Sequence, residues 1–118
     1  MGDRVLFQVK GTGEHSPVAY GHWCGSEAPQ IVGRLASRMA TRPNEVPYTF
    51  ARLIQEMCNG DKGALSFGAW NADKVLTAAD SHGDAGVVLI DVSASPLRCE
   101  CLGGYLTAGP DGLPKVPT

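Results

Sequence analysis

The sequence lacks several features that would place it in a functional class. Its 118 residues contain no apolar run near the roughly 20 residues that a membrane-spanning helix needs. Basic residues are not in excess either, since 10 Lys and Arg stand against 12 Asp and Glu and leave a net charge of −2. We therefore expect a chain that lies outside the membrane and does not bind nucleic acid by bulk electrostatic attraction.

Cysteine is scarce and irregularly spaced. The four cysteines, at positions 24, 58, 99 and 101, form no Cys-x-x-Cys pair, the usual spacing of a zinc knuckle. A metal site of Cys99 and Cys101 with His22 and Cys24 would require the first and last strands to meet at one end. Because Cys99 and Cys101 share a strand face with apolar neighbours, core packing is the simpler interpretation. We expect no metal and no cofactor.

Glycine and proline are plentiful by contrast, with 15 and 8 residues. This composition predicts many turns and therefore short elements. Alternating apolar residues predict a strand over residues 4–10, and an extended pattern over 18–23 predicts its hairpin partner. The second half of the sequence is strand-like throughout, with strands expected over residues 65–70, 74–79, 87–93 and 97–106.

Two helices are predicted between these strand regions. Ser26 to Pro29 and Asn44 to Pro47 each combine a capping residue, a glutamate and a proline, which is typical of a helix start. Apolar residues recur at helical spacing after both starts. The Asn59-Gly60 pair supplies a left-handed stop for the second helix.

The predicted order is β-β-α-α-β-β-β-β, with helices and strands segregated. It is typical of an α+β fold, here a mainly antiparallel sheet of about six short strands with two adjacent helices on one face. We expect one domain over residues 1–106 and a flexible Pro/Gly-rich tail over 107–118. Because the run from Val87 to Ile90 is apolar on both faces, the open sheet face is expected to bind a ligand or a second copy in a homo-oligomer.

The densest group of chemically versatile residues is Tyr20 to Gly25, which ends the second strand. A thiol at the following helix start would have a lowered pKa, so Cys24 with His22 as its base would suit a small hydrolase or transferase. The alternative is structural, with Trp23 in the core and Cys24 as a small buried filler. The structural alternative is favoured because no third group is fixed near this pair.

The loop from Asp80 to Asp84 places two carboxylates and an imidazole within five residues. Such a loop can bind a hard cation or orient His82 for catalysis. A loop rich in aspartate and glycine between strands is more often a solvated turn, and we favour that interpretation.

Arginines are concentrated on the first helix. Arg34, Arg38 and Arg42 recur every four residues and so lie on one ridge, with Arg52 on the neighbouring helix. A ridge of planar guanidinium groups would suit phosphates or an acidic protein surface. The alternative, which we favour, is a solvated face opposite the apolar stripe of Ile31, Leu35 and Met39.

The segment from Tyr20 to Gly25, followed by Ala28-Pro29 and by Tyr48 and Arg52, resembles small phage and prophage-associated bacterial proteins over residues 18–60. Those proteins carry Tyr-x-His-Trp-Gly-Gly, Leu-Pro and a Tyr-x-x-Arg-like helix. Cys24 stands where they have glycine, and the Tyr48 to Arg52 interval is one residue longer. The resemblance therefore argues against a nucleophilic Cys24. It implies a phage-encoded accessory protein without implying a reaction.

These observations lead us to expect a small non-catalytic binding module of the phage accessory type. It would bind a host protein or sequester a small anionic ligand, including a phosphorylated one, and could act against host defence. The expected binding residues are Tyr20, His22, Trp23, Arg34, Arg38 and Arg52. A Cys/His-dependent hydrolase or transferase and a structural or assembly protein are the alternatives. Because no signal-peptide stretch follows Met1, a cytoplasmic location is expected, in the host cell if the protein is phage-encoded.

Overall fold

The computed structural model describes residues 3–39, 45–59 and 67–117. It confirms the predicted α+β class, with two helices and a five-stranded sheet in the order β3-β2-β1-β4-β5, plus a separate two-stranded hairpin of β6 and β7. The elements are β1 Val5–Gly11, β2 Glu14–Gly21, α1 Ala28–Arg38, α2 Val46–Asn59, β3 Phe67–Trp70, β4 Gly86–Asp91, β5 Arg98–Leu102, β6 Thr107–Ala108 and β7 Pro114–Lys115.

The sheet is mixed, because its central strand β1 runs parallel to one neighbour, β4. β1 pairs with β4 in parallel from Val5 opposite Gly86, while the other pairs are antiparallel. The run from Val87 to Ile90 is fully or almost fully buried, as expected for a central strand.

The main core lies between one face of the sheet and both helices. The strands contribute alternate residues such as Phe7 and Ile90, which have no exposed surface. The helices contribute the predicted apolar stripes, including Leu35 and Leu53. Burial of one large apolar side chain of this kind contributes about 1.5–3 kcal/mol to the free energy of unfolding.

The second face of the sheet is partly covered by the chain itself. The sequence predicts a strand over residues 74–79 and an uncovered face, but the structure has no strand there. Instead, Leu76 packs against the residues that this face presents, namely Leu6, Val18, Val87 and Leu89. Residues 71–77, which we call the covering segment, therefore cover part of the apolar face that suggested an oligomer contact.

A buried glutamine explains why the covering segment is not a strand. Gln8 Nε2 donates to the carbonyl oxygen of Lys74 at 3.1 Å, and Gln8 Oε1 accepts a hydrogen bond from Leu76 N at 2.8 Å. The side chain of Gln8 is completely buried. It satisfies backbone groups that a partner strand would otherwise satisfy.

Asp3, rather than Ser26, organises the start of the first helix. A single 3-10 turn, Gly25–Glu27, precedes α1, and the capping residue Glu27 makes no side-chain cap. Gly25 N donates to Asp3 O at 2.9 Å and Ser26 N donates to Asp3 Oδ2 at 2.8 Å. The predicted cap at Asn44 and stop at Gly60 lie outside the described residues.

The sequence predicts a flexible C-terminal tail, but in the structure the C-terminal segment packs against the rest of the fold. β6 and β7 form a hairpin, and Cys99 N donates to Gly112 O at 2.7 Å. Gly112 has a φ of +80°, which a tight turn requires and which glycine adopts readily. Leu106 is buried in the main core and Leu113 packs against it, so these apolar residues anchor the hairpin.

Candidate functional site

Five ring-bearing residues form one group near the edge of the sheet at which β3 pairs with β2. Tyr20 lies on β2, and the backbone pairs Val18 with Trp70 at the end of β3. The remaining rings follow β2 or precede β4 in loops. We call this group the aromatic surface: Tyr20, His22, Trp23, Trp70 and His82.

Three of these rings contact one another. The Tyr20 ring centroid lies 5.8 Å from that of Trp70 and 5.4 Å from that of His82. The indole of Trp70 and the imidazole of His82 are nearly parallel, with an interplanar angle of 15° and a centroid separation of 6.3 Å. These distances are in the range of favourable aromatic pairs. Each ring therefore restricts the orientation of the other two.

His22 extends the aromatic surface towards Trp23. The hydroxyl oxygen of Tyr20 lies 2.6 Å from His22 Nδ1, within hydrogen-bond distance. The rings of His22 and Trp23 meet edge to face with centroids 4.6 Å apart. The motif from Tyr20 to Trp23 thus builds one continuous set of ring contacts.

Both indoles in this surface are open to solvent. Trp23 is 50% exposed and Trp70 is 42% exposed. Large aromatic side chains on a protein surface are typical of binding sites. The sequence interpretation that buries Trp23 in the core is wrong, whereas its alternative role as a binding residue is compatible with this exposure.

An arginine borders the aromatic surface. Arg4 Nε donates to Asp84 Oδ2 at 2.8 Å, and Arg4 N donates to the same oxygen at 3.2 Å. The side-chain hydrogen bond lowers the pKa of Asp84 below its ordinary value and, in the other direction, raises the pKa of Arg4. The nearby Tyr20 also contributes to the raised pKa of Arg4. Sequence reasoning missed Arg4, although its place two residues before Leu6 puts both on one strand face.

A shallow cavity of about 250 Å³ lies beside the edge strand β3. Its lining residues carry no charge: Pro17, Phe50, Ala69, Trp70 and Asn71. The cavity therefore extends from Trp70 of the aromatic surface along the edge strand without adding a charged group.

Cys24 is not presented to a substrate. Its side chain is 5% exposed and belongs to the main core. A Cβ placed on Gly21 would lie 2.1 Å from Cys24 Sγ, so the sulfur fills the space that this glycine leaves open. Among the described residues, the His22 ring has Tyr20 as its hydrogen-bond partner. This geometry supports the interpretation of Cys24 as a buried filler.

Cys99 and Cys101 also face the main core. Burial raises the pKa of the Cys99 thiol, and it raises that of Cys101 to about 11, so neither is a thiolate near neutral pH. In residues 3–39, 45–59 and 67–117, no group of three or more His, Cys, Asp or Glu side chains is arranged to hold a metal ion. The alternative metal site through Cys99 and Cys101 is not assembled there.

Two arginines of the ridge, Arg34 and Arg38, form ion pairs within the protein. Arg34 Nε donates to Glu56 Oε1 at 2.7 Å, and Arg38 Nε donates to Glu56 Oε2. Glu56 has no exposed surface. Burial alone would raise its pKa, but the hydrogen bonds and charges of both arginines outweigh burial and lower it. Arg34 and Arg38 thus join α1 to α2. Arg42 lies outside the described residues.

Arg52 lies on a different part of α2 and pairs locally. Its Nε and one terminal nitrogen donate to Tyr48 Oη at 3.1 and 2.9 Å, and the other terminal nitrogen donates to Gln55 Oε1 at 2.8 Å. Its guanidinium group also lies over the Tyr48 ring, 5.3 Å from the centroid. Arg52 and Tyr48, which the resemblance pairs, do contact each other, but away from the aromatic surface.

The carboxylates flanking His82 have structural partners. Asp80 Oδ2 accepts hydrogen bonds from Lys74 Nζ at 2.8 Å and from Thr77 N at 2.7 Å. The bond from Lys74 is the main reason that the pKa of Asp80 is lowered. Asp84 pairs with Arg4 as described above. These contacts favour a structural role for the two carboxylates in the turn. The ring of His82 packs against Tyr20 and Trp70.

Comparisons of this chain with protein-family models, with curated proteins and with solved structures find no significant match. Neither helix in the described part of the chain has the length and apolar character needed to cross a lipid bilayer.

Proposed function

We propose that this protein is a small non-catalytic binding module and that the aromatic surface is its binding surface. The observation that carries the proposal is the exposure of two indoles, those of Trp23 and Trp70, in one continuous group of ring contacts. Exposed aromatic side chains lose apolar hydration when a partner covers them, and Trp and Tyr dominate the energetics of many interfaces.

The polar contacts around this surface support binding rather than catalysis. A nucleophile needs an adjacent base and access to substrate. Cys24 is buried, and both carboxylates of the loop before β4 pair with cations. The hydrolase or transferase alternative therefore lacks an assembled nucleophile, base and orienting group in the described residues.

The partner is either the surface of a host protein or a small ligand, and the role is that of a phage-type accessory protein. The arginine ridge supports this assignment less than the aromatic surface does. Arg34 and Arg38 share the buried carboxylate of Glu56, and among the described residues neither contacts a ring of the aromatic surface. We therefore place the partner on the rings, not on the ridge.

Native mass spectrometry tests this proposal. The protein is isolated from expressing cells under non-denaturing conditions, and its mass is compared with the sequence mass to detect bound ligand, partner or a second copy. We expect Trp70→Ala and Trp23→Ala to lose the bound species and Cys24→Ser to retain it. Retention of the bound species by both tryptophan variants would overturn the proposal.

A further inference from the structure

We propose that the aromatic surface binds a nucleotide, whose base stacks on Trp70 and whose phosphate is held by Arg4. This inference rests on the proposed function and names its ligand. Neither residue was expected as a binding residue from the sequence. Arg4 lies where β1 begins, and Trp70 pairs with Val18 two strands away. Tyr20 lies between them, with its ring 5.8 Å from that of Trp70 and close enough to Arg4 to contribute to the raised pKa of the guanidinium group.

The stacking half of the site is the Trp70 indole. It contacts the rings of Tyr20 and His82, at 5.8 and 6.3 Å between centroids. The indole also lies close to Gly68, where an added Cβ would meet its ring at 3.6 Å. These neighbours hold the ring in one orientation while 42% of the residue stays exposed. Stacking of a base on such an aromatic side chain contributes about 1–3 kcal/mol.

The phosphate half of the site is the Arg4 side chain. Leu6 lies opposite Tyr20 in the sheet, so Arg4, two residues earlier on the same strand face, lies at the level of His22. Within the described residues, Asp84 receives only the Nε hydrogen of the Arg4 side chain. The two terminal amino groups, which form the fork that recognises phosphate oxygens, have no hydrogen-bond partner there.

Because Asp84 offsets the charge of Arg4, tight binding requires a ligand that has both a base and a phosphate. Its carboxylate fixes the orientation of the Arg4 guanidinium group and also neutralises the charge, so phosphate alone is attracted weakly. A base alone gains stacking but no charged contact. A ligand that carries both groups gains both contributions, which distinguishes a nucleotide from a nucleoside or an inorganic anion.

The experiment is a titration of the full chain, followed by its tryptophan fluorescence and by calorimetry. The probes are adenosine and guanosine 5′-monophosphates, the matching nucleosides, inorganic phosphate and a short single-stranded oligonucleotide. We expect a monophosphate to bind at least about tenfold more tightly than its nucleoside, a difference of about 1.4 kcal/mol. Equal binding of monophosphate and nucleoside would overturn the role of Arg4.

Variants separate the two halves. Arg4→Gln is expected to reduce the affinity for the monophosphate to that of the nucleoside, and Trp70→Ala to weaken both. Arg4→Lys retains a cation for Asp84 but lacks the fork, and we expect it to lose most of the phosphate increment. The matched control is Arg98→Gln, an exposed arginine at the opposite end of the sheet, which should bind like the wild type. Loss in Arg98→Gln equal to that in Arg4→Gln would overturn the site.

The oligonucleotide distinguishes a free nucleotide from one within a single strand. Tighter binding of the oligonucleotide, still dependent on Arg4 and Trp70, supports the same chemistry and identifies a strand as the source. If no probe saturates at millimolar concentration, the nucleotide inference is wrong. In that case, native mass spectrometry decides the fate of the broader proposal. A species bound to the wild type but not to Trp70→Ala would still support a binding module, whereas the lack of any such species would overturn the binding module as well as the nucleotide inference.

Discussion

The hydroxyl oxygen of Tyr20 lies 2.6 Å from Nδ1 of His22, two residues along the chain at the end of β2. Side chains at positions i and i+2 of a strand lie on the same face, so the two rings stay adjacent without help from distant residues. This contact joins the group of Tyr20, Trp70 and His82 to the pair of His22 and Trp23. It makes the aromatic surface one unit.

Tyr20→Phe tests the hydroxyl without removing the ring. We predict a loss of about 0.5–1.5 kcal/mol in the free energy of unfolding, because one partly buried hydrogen bond is lost. Ligand affinity should fall less than in Tyr20→Ala, which also removes the support of Trp70. Urea unfolding and the binding titration measure the two effects. Identical binding by the wild type and Tyr20→Ala would contradict a supporting role for the ring.

The amide of Gln8 should be important for stability because it holds the covering segment against the sheet. Gln8→Ala leaves the buried Leu76 N–H without its acceptor and opens space under the covering segment, so we expect a loss of about 2–3 kcal/mol. Hydrogen exchange at the Leu76 amide should accelerate as well. Gln30→Ala, on the exposed side of α1, is the matched control and should change stability by less than about 0.5 kcal/mol.

The ion pairs of Glu56 should make the free energy of unfolding fall at acid pH. Its pKa is lower in the folded protein than the ordinary value of 4.5, so its ion pairs contribute fully above that pH. Their contribution is lost as the pH falls through the lowered folded-state value. We expect Glu56→Gln to cost about 1–2 kcal/mol at pH 7, a modest value because both arginines are partly exposed to screening solvent.

Urea unfolding at pH 7 and at pH 3 measures this effect. The difference between the wild type and Glu56→Gln should shrink at the lower pH. At pH 3, which is below the ordinary value of 4.5, the unfolded chain takes up a proton at this carboxyl group more readily than the folded protein does, because the folded-state pKa is lowered. Glu100→Gln is the control, since Glu100 pairs with Lys10 but its side chain is 58% exposed. A stability difference for Glu56→Gln that does not change with pH would contradict the ion-pair explanation.

Thiol reactivity tests the burial of Cys24. Cys58 is exposed, whereas Cys24 and Cys99 are buried and the pKa of Cys101 is raised to about 11. We expect a thiol reagent at pH 8 to modify Cys58 rapidly and the other thiols only after unfolding. The variant Cys58→Ser should therefore show no rapid phase. A rapid phase that disappears only when Cys24→Ser is added would revive the thiol-dependent hydrolase.

Local patterns predicted both helices, most strands of the main sheet and the contacts between near neighbours, but they missed the hairpin of β6 and β7 and wrongly placed a strand over residues 74–79. The helical stripes, the hairpin of β1 and β2, and the proximity of Tyr20 to His22 all depend on residues close in sequence. The partners of Gln8 and of Arg34 lie 66 and 22 residues away, so no local spacing indicates them. A glutamine that alternates with apolar residues looks like a surface residue until a distant segment covers it.

The candidate site was predicted in part for the same reason. Tyr20, His22 and Trp23 form a compact motif, and the sequence singles them out. Trp70 and Arg4 join them only because β3 pairs with β2 and because β1 begins beside the end of β2. The arginine ridge attracted attention because its periodicity is visible, whereas its buried partner Glu56 lies on the other helix.

The most direct measurement follows the indole N–H signals of the protein by two-dimensional ¹H–¹⁵N NMR during titration with a nucleoside 5′-monophosphate. The chain has only two tryptophans, and both lie in the aromatic surface. We predict a saturable shift of the Trp70 indole signal, with the same dissociation constant as the shifts of the His82 and Arg4 backbone amides. An unchanged Trp70 signal, with ligand-dependent shifts confined to α1 and α2, would contradict the assignment of the binding surface.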